Sequence, residues 1–358
     1  MTNATGELRL PPAVRDAWER RGSTVRRRQA QFASATVDIV LGGGVAEDPA
    51  QVAMPEWPRA VVITQAGIPV PSAWPWPVVM MPTGERAKRL ATLERLAEEL
   101  VELGLRRGDG IIALGGGVVT DLAGFLAAIY YRGIDYVAVP TSLLAMVDAA
   151  IGGKTAVNLR AGKNLVGAFW QPRRVVVDPE LLWTLPVLEW RNGLGELVKY
   201  EFLGARDLLA LPLDEAIWRA VQLKVEVVEE DEREAARRAL LNYGHTVGHG
   251  IEAVALAARR HLAHGAAVAI GLVVEAELAR RLGRIDEARV EEHRRVVRSA
   301  GLIPRVPSWA PSEAIVAYAR ADKKGRGSLA CVLDGPRGLE LVHGVSEEQL
   351  LVAIEACR

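Results

Sequence analysis

Cysteine is almost absent from the chain. Cys331 and Cys357 are the two in 358 residues, and their spacing is not that of metal ligands. A disulfide framework is thereby excluded, and a reducing compartment is implied. Net charge is absent as well: 44 Lys and Arg balance 44 Asp and Glu. No global field draws the protein to nucleic acid or to a membrane, so an anionic partner has to be met by a local cluster. The opening stretch MTNATGELRLPPAVRD has no apolar segment of the leader type. No apolar run approaches the roughly 18 residues that span a bilayer. Internal repeats and low-complexity tracts are also missing. The expectation is a cytoplasmic protein with neither a membrane nor a nucleic acid as partner.

What is present suits a two-domain enzyme: half the residues are apolar and a quarter charged. Residues 1–32 read as an extension, with Arg20, Arg21, Arg26, Arg27 and Arg28 in it. Such a run is more often a solvated helix or frayed terminus than an arm that touches a partner. From Thr36 the texture changes. ATVDIVL, RAVVIT, WPVVMM, GDGIIALGGG, YVAVP and RRVVVD read as strands. Between them, ERAKRLATLERLAEELVELGL reads as a helix with Leu90, Leu93, Ala97 and Leu100 on one face. The alternation predicts a parallel, Rossmann-like α/β domain over residues 33–185. Helical patterns then dominate residues 186–358, apart from a hairpin in ACVLDGPRGLELV. A cleft between an α/β and a helical domain is a natural place for a ligand.

Gly115, Gly116 and Gly117 follow a strand and open a helix. Glycines there let backbone N–H groups approach a pyrophosphate at a helix N-terminus. The pattern is GGGVVTD, short of a full dinucleotide fingerprint, and a tight turn with no ligand is an equal reading. Glu85 and Lys88, after another strand end, offer a carboxylate for ribose hydroxyls and an ammonium for phosphate. Alone, that segment reads as a helix start with an exposed lysine.

The strongest signal is EAARRALLNYGHTVGHGIEA. Read as one helix, it places Glu234, Arg238, Asn242, His245 and His249 on a single stripe, within about 80°. A stripe of such groups between apolar neighbours is costly unless something pairs with it. His245 and His249 have the spacing of ligands to a divalent metal. The residue after the first is Thr246, not a catalytic Glu, which removes the metalloprotease reading. His264 opens an apolar helix, and Glu196 with Lys199 shares a helical face in GLGELVKY. Two histidines and one carboxylate with open positions make a catalytic type of site. Any one of these groups alone is more often structural.

Arg132, Lys154, Lys163, Lys199, Lys224, Arg238, Lys323 and Lys324 are scattered, several beside Gly, Asn or Asp. Together they suit a small substrate carrying phosphate and carboxylate. Lys163-Asn164 and Lys323-Lys324 are candidate phosphate contacts, and Asp148 stands six residues before Lys154.

GGGVVTDLAGFLAAIYYRGIDYVAVPTSLL, VDAAIGGKTAVNLRAGKNLVGAFWQP, GLGELVKY and LLNYGHTVGHGIEA together make the chain resemble 3-dehydroquinate synthases, from about residue 36 to its end. The resemblance implies a Rossmann-like NAD-binding α/β domain and an all-α metal-binding domain, in a homodimer. It places Glu196, His245 and His264 on the metal, commonly zinc with cobalt also accepted, and moves His249 to the substrate. NAD contacts fall on Glu85, Lys88, Gly115, Gly116, Gly117, Val118, Asp121, Thr141, Ser142, Lys163, Leu181 and Thr184, with Lys154 close by. Substrate contacts fall on Asp148, Lys154, Asn164, Lys199, Lys224, Arg238, Asn242, His249 and one of Lys323 or Lys324. Glu234 lies nearby, and Arg132 reaches the neighbouring subunit's substrate. The implied activity converts 3-deoxy-D-arabino-heptulosonate 7-phosphate to 3-dehydroquinate and phosphate in the shikimate pathway. NAD⁺ is then a recycled hydride carrier.

The chain departs from the family pattern in three places. Gln65 stands where an Asp usually meets the adenosine ribose, His264-Gly265-Ala266 replaces a usual HGE, and the spacing from His245 to His264 differs slightly. The last makes His261 an alternative ligand, ranked below His264. Alternative activities are a sibling cyclase, making a deoxy-inosose, valiolone or amino-dehydroquinate product, or a polyol dehydrogenase.

Overall fold

Val- and Ile-rich runs that are buried on both faces form parallel strands, because helices cover both sides of such a sheet. The computed structural model describes residues 24–322 and 329–358. In chain order it begins with β1 (Arg26–Gln31), β2 (Thr36–Leu41), the short helix α1 (Pro49–Val52), β3 (Ala60–Gln65), β4 (Val78–Met81) and α2 (Leu90–Glu102). Next come β5 (Gly110–Gly115), α3 (Gly117–Ile129), β6 (Asp135–Pro140), β7 (Lys154–Leu159), β8 (Gly162–Phe169) and β9 (Arg174–Val177). Then follow α4 (Val187–Leu203), α5 (Leu213–Glu230), α6 (His245–Ala257), α7 (His264–Arg281), α8 (Glu287–Ser299) and α9 (Ser312–Asp322). Strands β10 (Leu329–Leu333) and β11 (Glu340–Val345) and helix α10 (Glu347–Ala356) end the chain.

The chain forms two compact units. One holds the described residues through Leu185 together with Leu213–Arg233; the other holds Pro186–Pro212 and the described residues from Glu234 onward. In the first, seven strands lie in the order β1-β2-β9-β6-β5-β3-β4. All neighbours are parallel except β1 with β2. The order places β5 and β6 side by side with Gly115 opposite Pro140. Their C-terminal ends, where an open α/β sheet binds ligands, therefore adjoin. Beside this sheet β7 and β8 form a separate antiparallel hairpin. It packs on α3 closely enough that a Cβ on Gly124 would lie 2.6 Å from Thr155 Cγ2.

Two boundaries differ from the expectation. Residues 1–32 are not all an extension, because Arg26–Gln31 pairs with β2 from Arg26↔Leu41 to Gln31↔Thr36. RRRQAQ can do this because Ala30 is its one fully buried residue and the longer side chains alternate around the strand. Helix α5 lies in the stretch read as part of the helical domain, yet it belongs to the α/β unit.

In the second unit α7 is the central helix. It is buried along almost its whole length, from Gly265 to Ala279, and packs against α4, α6, α8 and α10. The expected hairpin is β10 and β11. Lys323 and Lys324 lie outside the described residues, as do Arg20 and Arg21. Among the described residues no helix is long and apolar enough to cross a membrane.

Candidate active site

The glycine turn comes first in the α/β unit. A Cβ on Gly115 would lie 2.4 Å from Val119 Cγ2, so only glycine fits where β5 runs into α3. Gly116 is the N-cap of α3 and no side chain caps that end. The first-turn N–H groups of a helix have no partner within the helix, so those of Gly117 and Val118 are available to an anion, with the helix dipole behind them. Thr141 donates its N–H to the Gly115 carbonyl at 3.0 Å. Ser142 Oγ would lie 3.2 Å from a Cβ on Gly116. The turn, Thr141 and Ser142 thus form one rim.

Lys88 supplies a second group. It is 4% exposed, and its Nζ lies 2.5 Å from Asp121 Oδ2 and 2.5 Å from Asn164 Oδ1. Burial pushes the Asp121 carboxyl up, against the pull of Lys88. Asn164, in a left-handed conformation at φ 56°, donates its N–H to Asn158 Oδ1 at 2.9 Å. Asn158 in turn donates to Glu85 Oε1 at 2.6 Å. Four of the predicted residues, Glu85, Lys88, Asp121 and Asn164, are therefore one network, linked through Asn158, which the sequence reading missed. Leu181 packs against the core that contains Leu114 and Val139, and Thr184 Oγ1 donates to the Leu181 carbonyl at 3.4 Å. Lys154 and Lys163 are exposed on the β7–β8 hairpin.

Asp148 sits on a π-helical turn, Ala145–Ala149. Lys224, on α5 and 5% exposed, donates to both its carboxylate and its carbonyl. Arg132 is exposed at the end of α3, where it and Tyr131 adopt left-handed φ values of 66° and 50°.

The helical unit holds the metal candidates. Glu196, 0% exposed, and Lys199, 1% exposed, form an ion pair one turn apart on α4. His245 Nε2 lies 3.4 Å and His264 Nε2 3.3 Å from Glu196 Oε1. The other ring nitrogens are engaged: His245 Nδ1 meets the Tyr243 carbonyl at 3.2 Å, and His264 Nδ1 meets Glu252 Oε2 at 2.9 Å. With Nδ1 so engaged in each ring, both Nε2 atoms face the same Glu196 oxygen. The three ligand atoms lie within 4.8 Å of one another. His249, Glu252 and His264 form a second, overlapping group.

Electrostatics fit a cation. Burial pushes the Glu196 carboxyl up, but Lys199 and the imidazoles outweigh it and hold the group well below the usual range. Burial, opposed by Glu196, holds His245 below its ordinary value. Burial would lower His264 too, but Glu196 and Glu252 outweigh it, and the ring is pushed up to about 10. Both Glu196 oxygens are buried without a well-directed hydrogen bond. Two carboxylates thus draw a positive charge onto His264, a demand that a divalent ion on Glu196, His245 and His264 meets equally. Three ligands leave positions open for substrate oxygens. His261 is exposed and belongs to neither group.

Backbone contacts bring these ligands together. A Cβ on Gly195 would lie 2.1 Å from the Gly265 carbonyl oxygen, so α4 and α7 touch main chain to main chain beside Glu196 and His264. A Cβ on Gly271 would lie 1.9 Å from the Gly244 carbonyl oxygen, which brings the start of α6 equally close to α7. Glu275, fully buried on α7, accepts from Gly244 N at 2.7 Å and Val247 N at 3.3 Å, and so caps the helix that carries His245 and His249.

The expectation of one helix through Glu234 and His249 is overturned. Glu234 is left-handed at φ 60°, Arg237–Asn242 is a 3₁₀ turn, and α6 begins at His245 after Gly244 at φ 79°. The Asn-Tyr-Gly sequence breaks the helical phase there. Even so, Asn242 Nδ2 donates to Glu234 Oε1 at 2.6 Å, and Arg238 is 2% exposed. His249 is exposed, with its ring 5.3 Å from that of His245. Glu252 was missed but legible, since it stands one turn beyond His249 on the same helix. Glu275, inside an apolar helix 30 residues after His245, had no sequence signal.

Comparison with known proteins shows the family. The family profile described as 3-dehydroquinate synthase N-terminal matches residues 78–192, and the C-terminal profile matches 193–325. A putative aminodehydroquinate synthase of Amycolatopsis mediterranei is 44% identical over 323 residues, 88% of this chain and 90% of that protein. A 3-dehydroquinate synthase of Synechococcus sp. is 46% identical over 260 residues, 68% of this chain and 70% of that protein. Among solved structures, a 2-deoxy-scyllo-inosose synthase complexed with carbaglucose-6-phosphate, NAD⁺ and Co²⁺ superposes with TM-score 0.83 at 27% identity, covering 93% of this chain and all (100%) of that one. A 2-epi-5-epi-valiolone synthase of Streptomyces hygroscopicus with NAD⁺ and Zn²⁺ bound gives TM-score 0.77 at 27% identity, covering 92% and 99%.

Proposed function

Because the chain belongs to the 3-dehydroquinate synthase family, we propose that it converts 3-deoxy-D-arabino-heptulosonate 7-phosphate to 3-dehydroquinate and phosphate. The observation that carries this reading is the convergence of Glu196, His245 and His264, with Lys199 paired to the same carboxylate. Bound NAD⁺ supplies a hydride acceptor that is regenerated, and a bound divalent ion, zinc or in its place cobalt, supplies Lewis acidity. The chain's residues bind and orient. Glu196, His245 and His264 would hold the metal. The Gly115–Gly117 turn, with Thr141, Ser142 and the Lys88 network, would hold the dinucleotide.

A substrate with both carboxylate and phosphate needs several cations, and Lys154, Lys199, Lys224 and Arg238 supply them. Burial makes Lys199, Lys224 and Arg238 effective, because a fixed charge out of water orients an anion more strongly than a solvated one. Asn242, held by Glu234, and the exposed His249 would contact hydroxyl oxygens in this reading. The protein acts as a homodimer in the cytoplasm in this reading. The left-handed backbone at Tyr131 and Arg132 presents the Arg132 side chain outward, as a contact to a second copy requires.

A second reading has one observation in its favour. The relative aligned over 323 residues is described as a putative aminodehydroquinate synthase. Parallel measurement of kcat/KM on the heptulosonate phosphate and on its amino counterpart separates the two. The proposal requires the oxygen substrate to be preferred, and a reversed preference overturns it in favour of the amino reading.

A further inference from the structure

The arginine run at the front of the described chain is absorbed by neither half of the site. It forms β1, where alternate side chains share a face. Arg26 pairs with Glu215, and its Nη2 lies 3.7 Å from Asp214. Arg28 donates to Glu229 Oε2 at 2.7 Å, to the Gln222 carbonyl at 3.3 Å and to the Gln222 side chain, with Glu226 3.7 Å away. All of these partners are on α5. Arg27, on the opposite face, reaches Gln51 at 2.6 Å instead. The grip continues to the end of the strand and beyond it. Gln31 N donates to Glu229 Oε1 at 2.8 Å, and Ser34 N and Gln171 Nε2 donate to Glu232 at 2.9 and 2.7 Å.

Helix α5 needs such support. Its last turn contains Glu229 and Glu230 and no basic residue. Carboxylates at a helix C-terminus oppose the macrodipole and repel one another. One guanidinium, that of Arg28, holds Gln222, Glu226 and Glu229, two of which bracket Lys224.

We propose that β1 is a clamp on α5, with Arg28 and Arg26 as positioning residues that hold Lys224 against Asp148. The consequence for catalysis rests on the reading of Lys224 as a substrate contact. The clamp itself does not, and it is tested without turnover.

The test uses Arg28→Ala, Arg28→Glu, and the charge swap Arg28→Glu with Glu229→Arg in the full chain. Acetylation of Lys224 by a water-soluble acylating reagent is followed by peptide mass spectrometry, with exposed Lys163 as reference. Arg28→Glu should raise the relative rate at Lys224 about tenfold, Arg28→Ala less, and the swap should restore it. In turnover, KM for the sugar phosphate should rise while affinity for NAD⁺ and metal content stay unchanged. Unchanged Lys224 labelling in a folded Arg28→Glu variant, or a swap that fails to restore it, overturns the clamp. Raised labelling with unchanged KM upholds the clamp and overturns the substrate role of Lys224.

Discussion

His264 Nδ1 lies 2.9 Å from Glu252 Oε2, while Nε2 of the same ring lies 3.3 Å from Glu196 Oε1. One carboxylate therefore orients the ring, and the other would share the metal proposed for this site. Removing the orienting partner of a ligating histidine commonly costs 10 to 100-fold in metal affinity. Glu252→Gln is expected to weaken zinc binding by about that factor in chelator competition, with little loss of thermal stability. His264→Ala should abolish metal content and activity together, and His261→Ala should change neither. Metal loss confined to the His261 variant would reassign the third ligand.

The Gly195 and Gly265 main chains touch, so a single methyl group separates the ligands. Gly195→Ala places a Cβ 2.1 Å from a backbone oxygen. Overpacking of this kind costs about 1–3 kcal/mol or more, and here it also moves α4 away from α7. We expect a lowered Tm together with loss of metal. Gly204→Ala, a control where nothing lies within 4 Å of the added Cβ, should keep its metal despite the strain of φ 125°.

Much of this was legible in the sequence. The strand runs and the glycine turn stand where residue type and spacing placed them. Glu196, His245 and His264, the ligand set that the family resemblance implies, lie together, whereas spacing alone offered His245 with His249. The helix expected through Glu234 and His249 does not form, because an amphipathic period continues on paper across a glycine that resets it in space. The β7–β8 hairpin is not among the strands read from the sequence, since its Gly, Lys and Asn residues hide the two-residue period. Glu275 and the close Gly195–Gly265 approach are tertiary facts, and no local pattern carries them. The Arg26–Arg28 run was read as solvated because its acidic partners lie some 190 residues away on α5.

His293 gives the helical unit a pH limit. It is 0% exposed, stacked at 3.7 Å on Phe202, bonded to the Tyr243 hydroxyl at 2.8 Å and to the Arg289 carbonyl at 2.8 Å. Burial holds the ring down at about 4, helped by the Arg289 charge, and outweighs the Arg289 carbonyl, Asp334 and Glu292, which pull the other way. The unfolded chain takes up this proton near pH 6.5 and the folded chain only near 4. Stability is therefore complete above about 6.5 and lost as pH falls towards 4, by up to about 3 kcal/mol. Tm measured from pH 7.5 to 4.5 should fall less steeply in His293→Gln than in the unmodified protein. Parallel curves would contradict this.

Lys88 separates a structural from a ligand role. Lys88→Ala leaves the half-buried Asp121 without its nearest cation, which is expected to lower Tm. Adding Asp121→Asn should recover most of the Tm without restoring NAD⁺ affinity, read by calorimetry. Full recovery of NAD⁺ binding in the double variant would make the pair structural only.

The central claim is that the chain uses NAD⁺ without consuming it. Purified protein with zinc, the heptulosonate phosphate in excess and NAD⁺ well below the substrate concentration tests it directly. The account predicts one phosphate and one 3-dehydroquinate per substrate, many turnovers per NAD⁺, and no accumulating absorbance of NADH. NADH formed in step with product, or phosphate released without the carbocycle, would contradict it.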